Sequence, residues 1–320
     1  QLSFVTVYTT VDGINMTTKH VELSTSFGHQ LGPCFIEGEE VTSVFPTKVH
    51  EGKIVNLTIV DKTTQSQMSE YYGVDDTTFL TRYNSALMHI QKWTFAEVPN
   101  TGLFCVKWTA NNCYLNAALL ILQQLSVKFT TPAVQDAYYQ LKAGKPQTFM
   151  TLMVAYTNAK IGTTGDSREV VRVMLKHAQI TAVREFVLIC DKCGIQRHSV
   201  SGLDAVMVLT QKTTLTSFLE GEETCCKCGA DVPVYQTKLD TPFLILSTVN
   251  PNTQTITCED KQMVCANVFT GDVSGGHYTH VINSELLYHV NGNRASKMSE
   301  LSTTVSDVVY KTVKHQNTDN

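Results

Sequence analysis

The spacing of apolar residues divides the chain into helical and strand-rich stretches. Apolar positions at helical spacing predict amphipathic helices over residues 78–93, 115–127, 132–142, 148–159 and 168–177. Alternating apolar and polar residues predict strands at 5–11 and 14–23, which Asp12-Gly13 joins as a hairpin. Short apolar or alternating runs predict further strands at 243–246, 267–270 and 306–313, and one more beginning near His277. This mixture predicts an α+β fold.

The predicted elements fall into four zones followed by a short polar tail. Residues 1–60 are strand-rich, and residues 61–181 are mainly helical. Residues 182–240 are again strand-rich and contain two cysteine-bearing turns, and residues 241–314 form a series of strands. We expect the tail, residues 315–320, to be disordered because it has no apolar residue to pack.

Length and composition limit the class of protein. The chain has 320 residues and is 42% hydrophobic, which is enough for more than one core. Its net charge of −4 argues against a nucleic-acid-binding surface, and no apolar run is long enough to be a membrane span or a signal peptide. The ten cysteines are scattered in a way that favours a reducing compartment. Because the chain starts with Gln1, we expect it to be excised from a larger protein.

Cys113 stands where a polar turn becomes an apolar, helix-forming run. Asn111 and Asn112 precede it and offer N-cap chemistry. A thiol at a helix N-terminus faces unpaired backbone N–H groups and the positive end of the helix dipole, which together stabilise the nucleophilic thiolate. The alternative is a structural cysteine, since free cysteine is one of the most buried residue types. A downstream base would favour the nucleophile.

His277 is the candidate base, because it follows two glycines and begins a predicted strand. His280 competes with it but lies three residues further along, so its side chain points to the opposite face of that strand. Asn291 ends the next predicted strand just before Gly292, and it is placed to accept a hydrogen bond from the His277 ring. The alternative is an ordinary turn residue, which is the usual role of an Asn-Gly pair.

Two cysteine-rich turns have the spacing of a zinc ribbon. The first is Cys190-x-x-Cys193-Gly, and the second, about thirty residues later, reads Thr-Cys-Cys-Lys-Cys-Gly over residues 224–229. Four thiolates would form a closed structural site. The second turn supplies either Cys225 and Cys228 or Cys226 and Cys228, and spacing alone prefers neither. A thioredoxin-like redox site would need a βαβ context, which is missing, and disulfides would depend on the compartment.

These motifs resemble, in order and over essentially the whole chain, those of coronavirus papain-like proteases. The residues that carry the resemblance are Trp108, Asn111-Asn112-Cys113-Tyr114, residues 132–139, residues 165–169, Gly276-His277-Tyr278, the cysteine turns and residues 9–13. The resemblance implies a papain-like right-hand architecture. Its parts would be a ubiquitin-like domain at 1–60, a helical thumb at 61–181 with Cys113, zinc-ribbon fingers at 182–240, and a β palm at 241–314 with His277.

The resemblance also implies a function. A viral cysteine endopeptidase of this kind would cleave the replicase polyprotein after Leu-X-Gly-Gly and remove ubiquitin and ubiquitin-like ISG modifiers from host proteins. It would bind one structural zinc and act as a monomer, without direct contact with nucleic acid or membrane. It would reside in the host cytoplasm, on the cytosolic face of ER-derived membranes, as part of a membrane-anchored protein. The alternative from another class is a ubiquitin-binding or scaffolding module with weak catalysis.

Residue roles follow from the resemblance position by position. It implies a catalytic triad of Cys113 as nucleophile, His277 as general acid and base, and Asn291. It implies an oxyanion hole with Trp108 and Asn111. Implied substrate contacts are Gly165, Asp166, Phe269, Gly276 and Tyr278. The family's C-x-C pattern implies zinc ligands Cys190, Cys193, Cys226 and Cys228.

The chain departs from the family pattern at two positions. Asn291 stands where the third triad member is usually Asp. A neutral amide still orients the imidazole but stabilises the imidazolium less than a carboxylate would. Val273 stands where family members often carry an aromatic residue, in the predicted loop from Phe269 to Gly276. We therefore expect different contacts with the substrate residues upstream of its glycines.

Overall fold

The structure is a computed structural model in which the chain forms two compact units. The first combines Gln1–Trp93 with Phe129–Ile161, and the second combines Thr94–Lys128 with Gly162–Asn320. The described residues are 4–10, 13–17, 20–21, 23–25, 34–36, 39–41, 43–50, 54–60, 69–74, 77–107, 111–210, 218, 220–252, 257–258, 261–272, 275–299 and 305–312. The four-zone division predicted from the sequence is finer than this two-unit division and remains a prediction.

Eight strands are described in the first 60 residues. They are β1 (Phe4–Thr10), β2 (Gly13–Thr17), β3 (His20–Val21), β4 (Leu23–Thr25), β5 (Cys34–Ile36), β6 (Glu39–Val41), β7 (Ser43–His50) and β8 (Ile54–Val60). Strand β1 pairs with β2, with Thr10 opposite Gly13, so the predicted hairpin is confirmed. The single strand predicted at 14–23 is wrong, because the chain reverses and β3 pairs back onto β2. The signal for the reversal was the polar run from Thr17 to His20, which interrupts the alternation between Met16 and Val21.

All five predicted helices are confirmed, with ends shifted by a few residues. The helices are α1 (Thr77–Ile90), α2 (Cys113–Gln124), α3 (Pro132–Lys142), α4 (Gln147–Thr157) and α5 (Ser167–Leu175), joined by an unpredicted short helix, α6 (Leu203–Val206). Pro132 occupies the start of α3, where its missing N–H costs no hydrogen bond. Asn158 ends α4 in the left-handed conformation, with φ 51°. In the described part of the chain, no helix is long and apolar enough to cross a membrane.

The remaining strands begin with four short segments. They are β9 (Phe95–Val98), β10 (Leu103–Val106), β11 (Lys128–Phe129) and β12 (Ala178–Gln179). A four-stranded sheet of the second unit, in the order β14-β13-β17-β16, contains β13 (Val183–Cys190), β14 (Gly194–Ser201), β16 (Glu220–Thr224) and β17 (Asp231–Asp240). This sheet and its connecting turns are called the fingers below.

A larger sheet of the second unit has the order β15-β18-β24-β20-β21-β22-β23, with β19 paired to β20. Its strands are β15 (Met207–Thr210), β18 (Phe243–Asn252), β19 (Thr257–Cys258), β20 (Lys261–Asp272), β21 (Gly275–Asn283), β22 (Leu287–Asn291), β23 (Arg294–Met298) and β24 (Val305–Thr312). The strands predicted at 243–246, 267–270 and 306–313 correspond to β18, β20 and β24. Each of the first two predictions covers only part of its strand.

Helix α2 is buried along nearly its whole length, from Tyr114 to Gln123. Its Leu120 lies in one apolar cluster with Val98, Leu103 and Cys105 of β9 and β10 and with Ile282, Tyr288 and Val290 of β21 and β22. Burial of apolar surface on this scale stabilises by about 25 cal/mol per Å². The cluster therefore fixes α2, and Cys113 at its start, against the strands that carry His277 and Asn291.

Candidate active site

Cys113 is the first residue of α2 and is half-buried. Asn112 holds the N-cap position as predicted, but its side chain makes no capping hydrogen bond. Its Nδ2 instead donates to the Lys107 carbonyl at 3.2 Å. Asn111, in the left-handed conformation with φ 58°, donates from Nδ2 to the Gly162 carbonyl at 3.0 Å. The expected capping role is thus wrong, and both amides brace the turn before Cys113.

His277 and Asn291 are brought together by the pairing of two neighbouring strands. Strands β21 and β22 are antiparallel, and β22 turns into β23 with Asn291 opposite Arg294. The Nε2 atom of His277 lies 2.8 Å from Oδ1 of Asn291. Because that oxygen only accepts hydrogen bonds, Nε2 carries the proton of the neutral ring and Nδ1 is the nitrogen that accepts one. Asn291 is therefore both a turn residue and the partner of His277.

His280 points to the other face of β21, as the sequence predicts, and is 1% exposed. Its Nδ1 lies 2.6 Å from Oδ1 of Asn267, and its Nε2 lies 3.3 Å from Nε2 of Gln124. Burial lowers the pKa of His280 to about 3, with a smaller contribution from His289 nearby. His280 is thus a neutral core residue that ties α2 to the sheet.

Asn116 links the start of α2 to the turn that carries Asn291, a contact that the sequence analysis missed. The Asn116 side chain accepts a hydrogen bond from the Val106 N–H at 2.8 Å and donates to the Gly292 carbonyl at 3.3 Å. Cys113 lies one helical turn earlier on the same face of α2. The available sequence signal was a polar residue inside an otherwise apolar helix.

Two glycines of the candidate substrate site are packed tightly against aromatic rings. A Cβ atom at Gly165 would lie 2.5 Å from the Tyr114 ring. A Cβ atom at Gly276 would lie 2.6 Å from Cε2 of Phe269 and 2.7 Å from the Thr270 carbonyl oxygen. These contacts are too short for any side chain larger than hydrogen, so both positions require glycine unless the rings and the backbone move.

The segment predicted as a loop from Phe269 to Gly276 is instead part of a β-hairpin. Thr270 pairs with His277, Gly271 with Gly276, and Asp272 with Gly275. Val273 lies outside the described residues. Antiparallel pairing extends beyond the sequence prediction because residues 270–272 gain backbone partners across the hairpin. Phe269 and Tyr278 face each other with ring centroids 4.9 Å apart.

Asp166 and Tyr278, two of the expected substrate contacts, bond neighbouring residues and remain partly exposed to solvent. Asp166 caps α5, accepting a hydrogen bond from the Arg168 N–H at 2.8 Å and pairing with the Arg168 guanidinium at 3.3 Å. Burial, together with Asp166 and Asp307 nearby, raises the pKa of Tyr278 to about 12, while hydrogen bonds with Ser167 act in the opposite direction. Tyr278 is therefore an un-ionised phenol at neutral pH.

Four cysteines of the fingers form a candidate metal centre. The sulfur atoms of Cys190, Cys193, Cys225 and Cys228 all lie within 4.8 Å of one another, and those of Cys190 and Cys228 are 3.6 Å apart. Tetrahedral zinc with bonds of about 2.3 Å places its sulfur ligands about 3.8 Å apart. The four thiols thus have the chemistry and the spacing that zinc requires.

Cys225, and not the expected Cys226, belongs to this cluster. The exposed Cys226 has its Sγ 3.0 Å from Oε1 of Gln196. The reason is local backbone geometry: the Gly229 N–H donates to the Cys225 carbonyl, and Gly229 has φ 72°, close to the 75° of Gly194 after the first turn. Both turns therefore have the C-x-x-C-G form, and the structure brings Cys225 rather than Cys226 together with the other three cysteines.

The surroundings of Cys225 favour its thiolate. Gln196 donates from Nε2 to Sγ of Cys225 at 3.1 Å, and backbone N–H groups of Lys227 and Cys228 also donate to that sulfur. These hydrogen bonds lower the pKa of the Cys225 thiol to about 6. A deprotonated thiol is the form that binds a metal.

Trp108, the expected oxyanion donor, lies outside the described residues. Among the described residues near Cys113, the backbone N–H of Cys113 itself has the position of an oxyanion donor, at the N-terminus of a helix. Asn111, the other expected member of the hole, donates to the Gly162 carbonyl and so holds the turn before Cys113.

Comparison with known proteins gives consistent results. Residues 2–319 match the family model of the coronavirus papain-like peptidase. The chain is 33% identical over 316 residues to replicase polyprotein 1a of Bat coronavirus HKU5, covering 96% of the chain and 7% of the polyprotein. It is 30% identical over 307 residues to the same polyprotein of Bat coronavirus HKU9, again covering 7% of the polyprotein. The chain thus spans a small part of these relatives.

A solved structure agrees with these sequence matches. The papain-like protease of the Middle-East respiratory syndrome coronavirus, in complex with ubiquitin, superimposes with a TM-score of 0.70 at 26% identity, covering 99% of this chain and 98% of that one. The alignment of both sequence and fold over nearly the full chain shows that this protein belongs to the coronavirus papain-like peptidase family.

Proposed function

We propose that this chain is the papain-like protease of a coronavirus replicase polyprotein. It cleaves the polyprotein after Leu-X-Gly-Gly and removes ubiquitin and ubiquitin-like ISG modifiers. The observation that carries the proposal is the 2.8 Å contact between His277 Nε2 and Asn291 Oδ1, which orients a base beside the helix that starts at Cys113. The related protease was crystallised with ubiquitin, and this supports ubiquitin as a substrate.

The reaction follows from the protonation state of His277. Its Nδ1 accepts the proton of the Cys113 thiol, and the thiolate attacks the carbonyl carbon of the second substrate glycine. A C–S bond forms, and the C–N bond then breaks as the leaving amine takes the proton from His277. Water, giving its proton to His277, hydrolyses the thioester and regenerates the thiol. Asn291 holds the ring in the required tautomer throughout.

The oxyanion would be bound at the N-terminus of α2. The Cys113 backbone N–H is one donor, and the Trp108 indole N–H is the proposed second donor. A donor of this kind is worth about 2.7–4 kcal/mol in the transition state. Asn111 supports the hole indirectly, since its bond to Gly162 fixes the turn that precedes Cys113.

Substrate selection would depend on the two tightly packed glycines. Gly165 beside Tyr114 and Gly276 beside Phe269 offer flat backbone walls that suit a pair of substrate glycines. Larger side chains in the substrate would meet the same aromatic rings. Asp166 retains about two-fifths of its side-chain exposure and supplies an acceptor for the extended peptide upstream.

One zinc ion per chain would be held by Cys190, Cys193, Cys225 and Cys228 and would stabilise the fingers. A site closed by four thiolates has no open position, so it contributes structure and no catalytic step. We also propose that the predicted domain boundaries, the monomeric state and the location on the cytosolic face of ER-derived membranes apply to this chain, on the basis of its family.

Turnover of a fluorogenic peptide ending in Leu-Arg-Gly-Gly tests the proposal. Under reducing conditions the chain is expected to release the fluorophore, and the Cys113→Ala variant is expected to lose at least about 10³-fold in rate because the nucleophile is gone. Circular dichroism of both proteins provides the folding control. A folded chain that cleaves neither this peptide nor a ubiquitin-based substrate would refute the peptidase assignment and favour a ubiquitin-binding module.

A further inference from the structure

Asn116 occupies a position that a buried helix would normally fill with an apolar residue. It is 6% exposed and lies among buried leucines and alanines. A buried amide is costly unless its polar atoms have partners. Asn116 has two, the Val106 N–H of β10 and the Gly292 carbonyl of the β22–β23 turn, both in the second unit.

These contacts form a continuous connection between the two candidate catalytic residues. Cys113 and Asn116 share one turn of α2. Asn116 bonds the carbonyl of Gly292, and Gly292 directly follows Asn291, whose side chain holds the His277 ring. The Gly292 carbonyl therefore ties the helix of the nucleophile to the turn that orients the base.

Gln123, on the same helix, is a second buried amide that anchors α2 to β10 and serves as the comparison for Asn116. Its side chain accepts a hydrogen bond from the Phe104 N–H at 2.8 Å and donates to the Phe104 carbonyl at 2.6 Å. It is 3% exposed. Gln123 thus attaches α2 to β10 just as Asn116 does through Val106. Asn116 in addition bonds the Gly292 carbonyl of the β22–β23 turn.

We propose that Asn116 is a positioning residue that sets the separation of the Cys113 thiol and the His277 imidazole, by bonding the turn that carries Asn291. The inference rests on the proposed peptidase function. Its physical basis is that proton transfer between thiol and imidazole depends steeply on geometry, and a misplacement of about 1 Å costs about 100-fold in rate. Asn116 would act on the two catalytic side chains through this turn.

The test compares Asn116→Leu with Gln123→Met, two substitutions that each leave one strand N–H of β10 without its side-chain partner. Asn116→Leu is expected to lower kcat by about 10- to 100-fold with little change in KM, whereas Gln123→Met lowers thermal stability and leaves kcat near wild type. The rate of Cys113 alkylation by iodoacetamide, read by peptide mass, is expected to fall in Asn116→Leu, because a displaced imidazole no longer takes the proton of the thiol. It is expected to stay unchanged in Gln123→Met.

A double-mutant cycle with Asn291→Ala gives the decisive result. If Asn116 acts through Asn291, the combined variant loses less rate than the product of the two single losses. Multiplicative losses, or an Asn116→Leu variant that matches Gln123→Met in both kcat and alkylation, would overturn the inference. So would Asn116→Leu and Asn116→Ala variants that both fail to fold. Alkylation requires no substrate, so it tests the role of Asn116 independently of peptide cleavage. The positioning role can therefore fail while the peptidase assignment stands, and the peptidase assignment can fail while the positioning role stands.

Discussion

Replacing Cys225 with serine is expected to remove the metal from the fingers and unfold them, while replacing the adjacent Cys226 is expected to leave both intact. Of these two adjacent cysteines, both among the described residues, Cys225 is the one whose sulfur lies within 4.8 Å of those of Cys190, Cys193 and Cys228. Zinc binding in small zinc-finger peptides is worth about 10–16 kcal/mol, and this free energy is coupled to folding. Losing one of four thiolates is therefore the largest stability effect that we predict for a single substitution in the fingers.

Metal content and thermal unfolding of the two serine variants provide the measurement. Wild-type protein and Cys226→Ser are expected to carry one zinc per chain, and Cys225→Ser is expected to carry much less and to unfold at lower temperature. Alkylation of Cys113 in each variant shows whether the active site persists. A zinc-free, unfolded Cys226→Ser beside a zinc-loaded Cys225→Ser would contradict the structure and return the ligand role to Cys226.

Replacing His277 with glutamine is expected to reduce the rate of peptide cleavage by at least about 10³-fold with little change in stability. The matched control is His280→Gln, three residues along the same strand. His280 is buried and bonds Asn267 and Gln124, so its loss is expected to cost about 1–3 kcal/mol of stability while the folded protein stays active. Steady-state kinetics and thermal unfolding of both variants separate the two roles.

The lowered pKa of His280 predicts that the free energy of unfolding depends on pH. Burial holds the pKa of His280 near 3, below its ordinary value of 6.5, so the unfolded chain binds a proton more readily than the folded one. The contribution of this histidine is present above pH 6.5 and is lost as the pH falls from there towards 3. His280→Gln is expected to flatten the acid loss of stability. An unchanged acid profile in His280→Gln, or full activity in His277→Gln, would contradict these roles.

Local sequence patterns predict much of this site because its parts lie close together along the chain. An apolar run after Asn112 is enough to place Cys113 at a helix start. His277 and Asn291 lie on consecutive strands, so a short connection makes their pairing predictable. Similarly, the five longer helices follow from apolar periodicity, since each buries one face or more.

Other features depend on contacts that no local pattern contains. The insertion of β24 between β18 and β20 is set by long-range pairing. The bond from Asn116 to Gly292 joins residues 176 positions apart. The choice of Cys225 over Cys226 depends on which sulfur the local backbone turns towards Cys190 and Cys193. Likewise, the sequence predicts that Asn112 caps α2, but its side-chain amide donates to the Lys107 carbonyl and makes no capping hydrogen bond.

The most direct test of the central claim is the reaction of the chain with ubiquitin that carries an electrophile in place of its C-terminal carboxylate. We predict one covalent adduct per chain by intact mass, mapped by peptide sequencing to Cys113, and no adduct in Cys113→Ala. This result requires a reactive thiol, a passage that admits two glycines, and recognition of ubiquitin in one event. A folded wild-type chain that forms no adduct, or one that is labelled at another cysteine, would contradict the account.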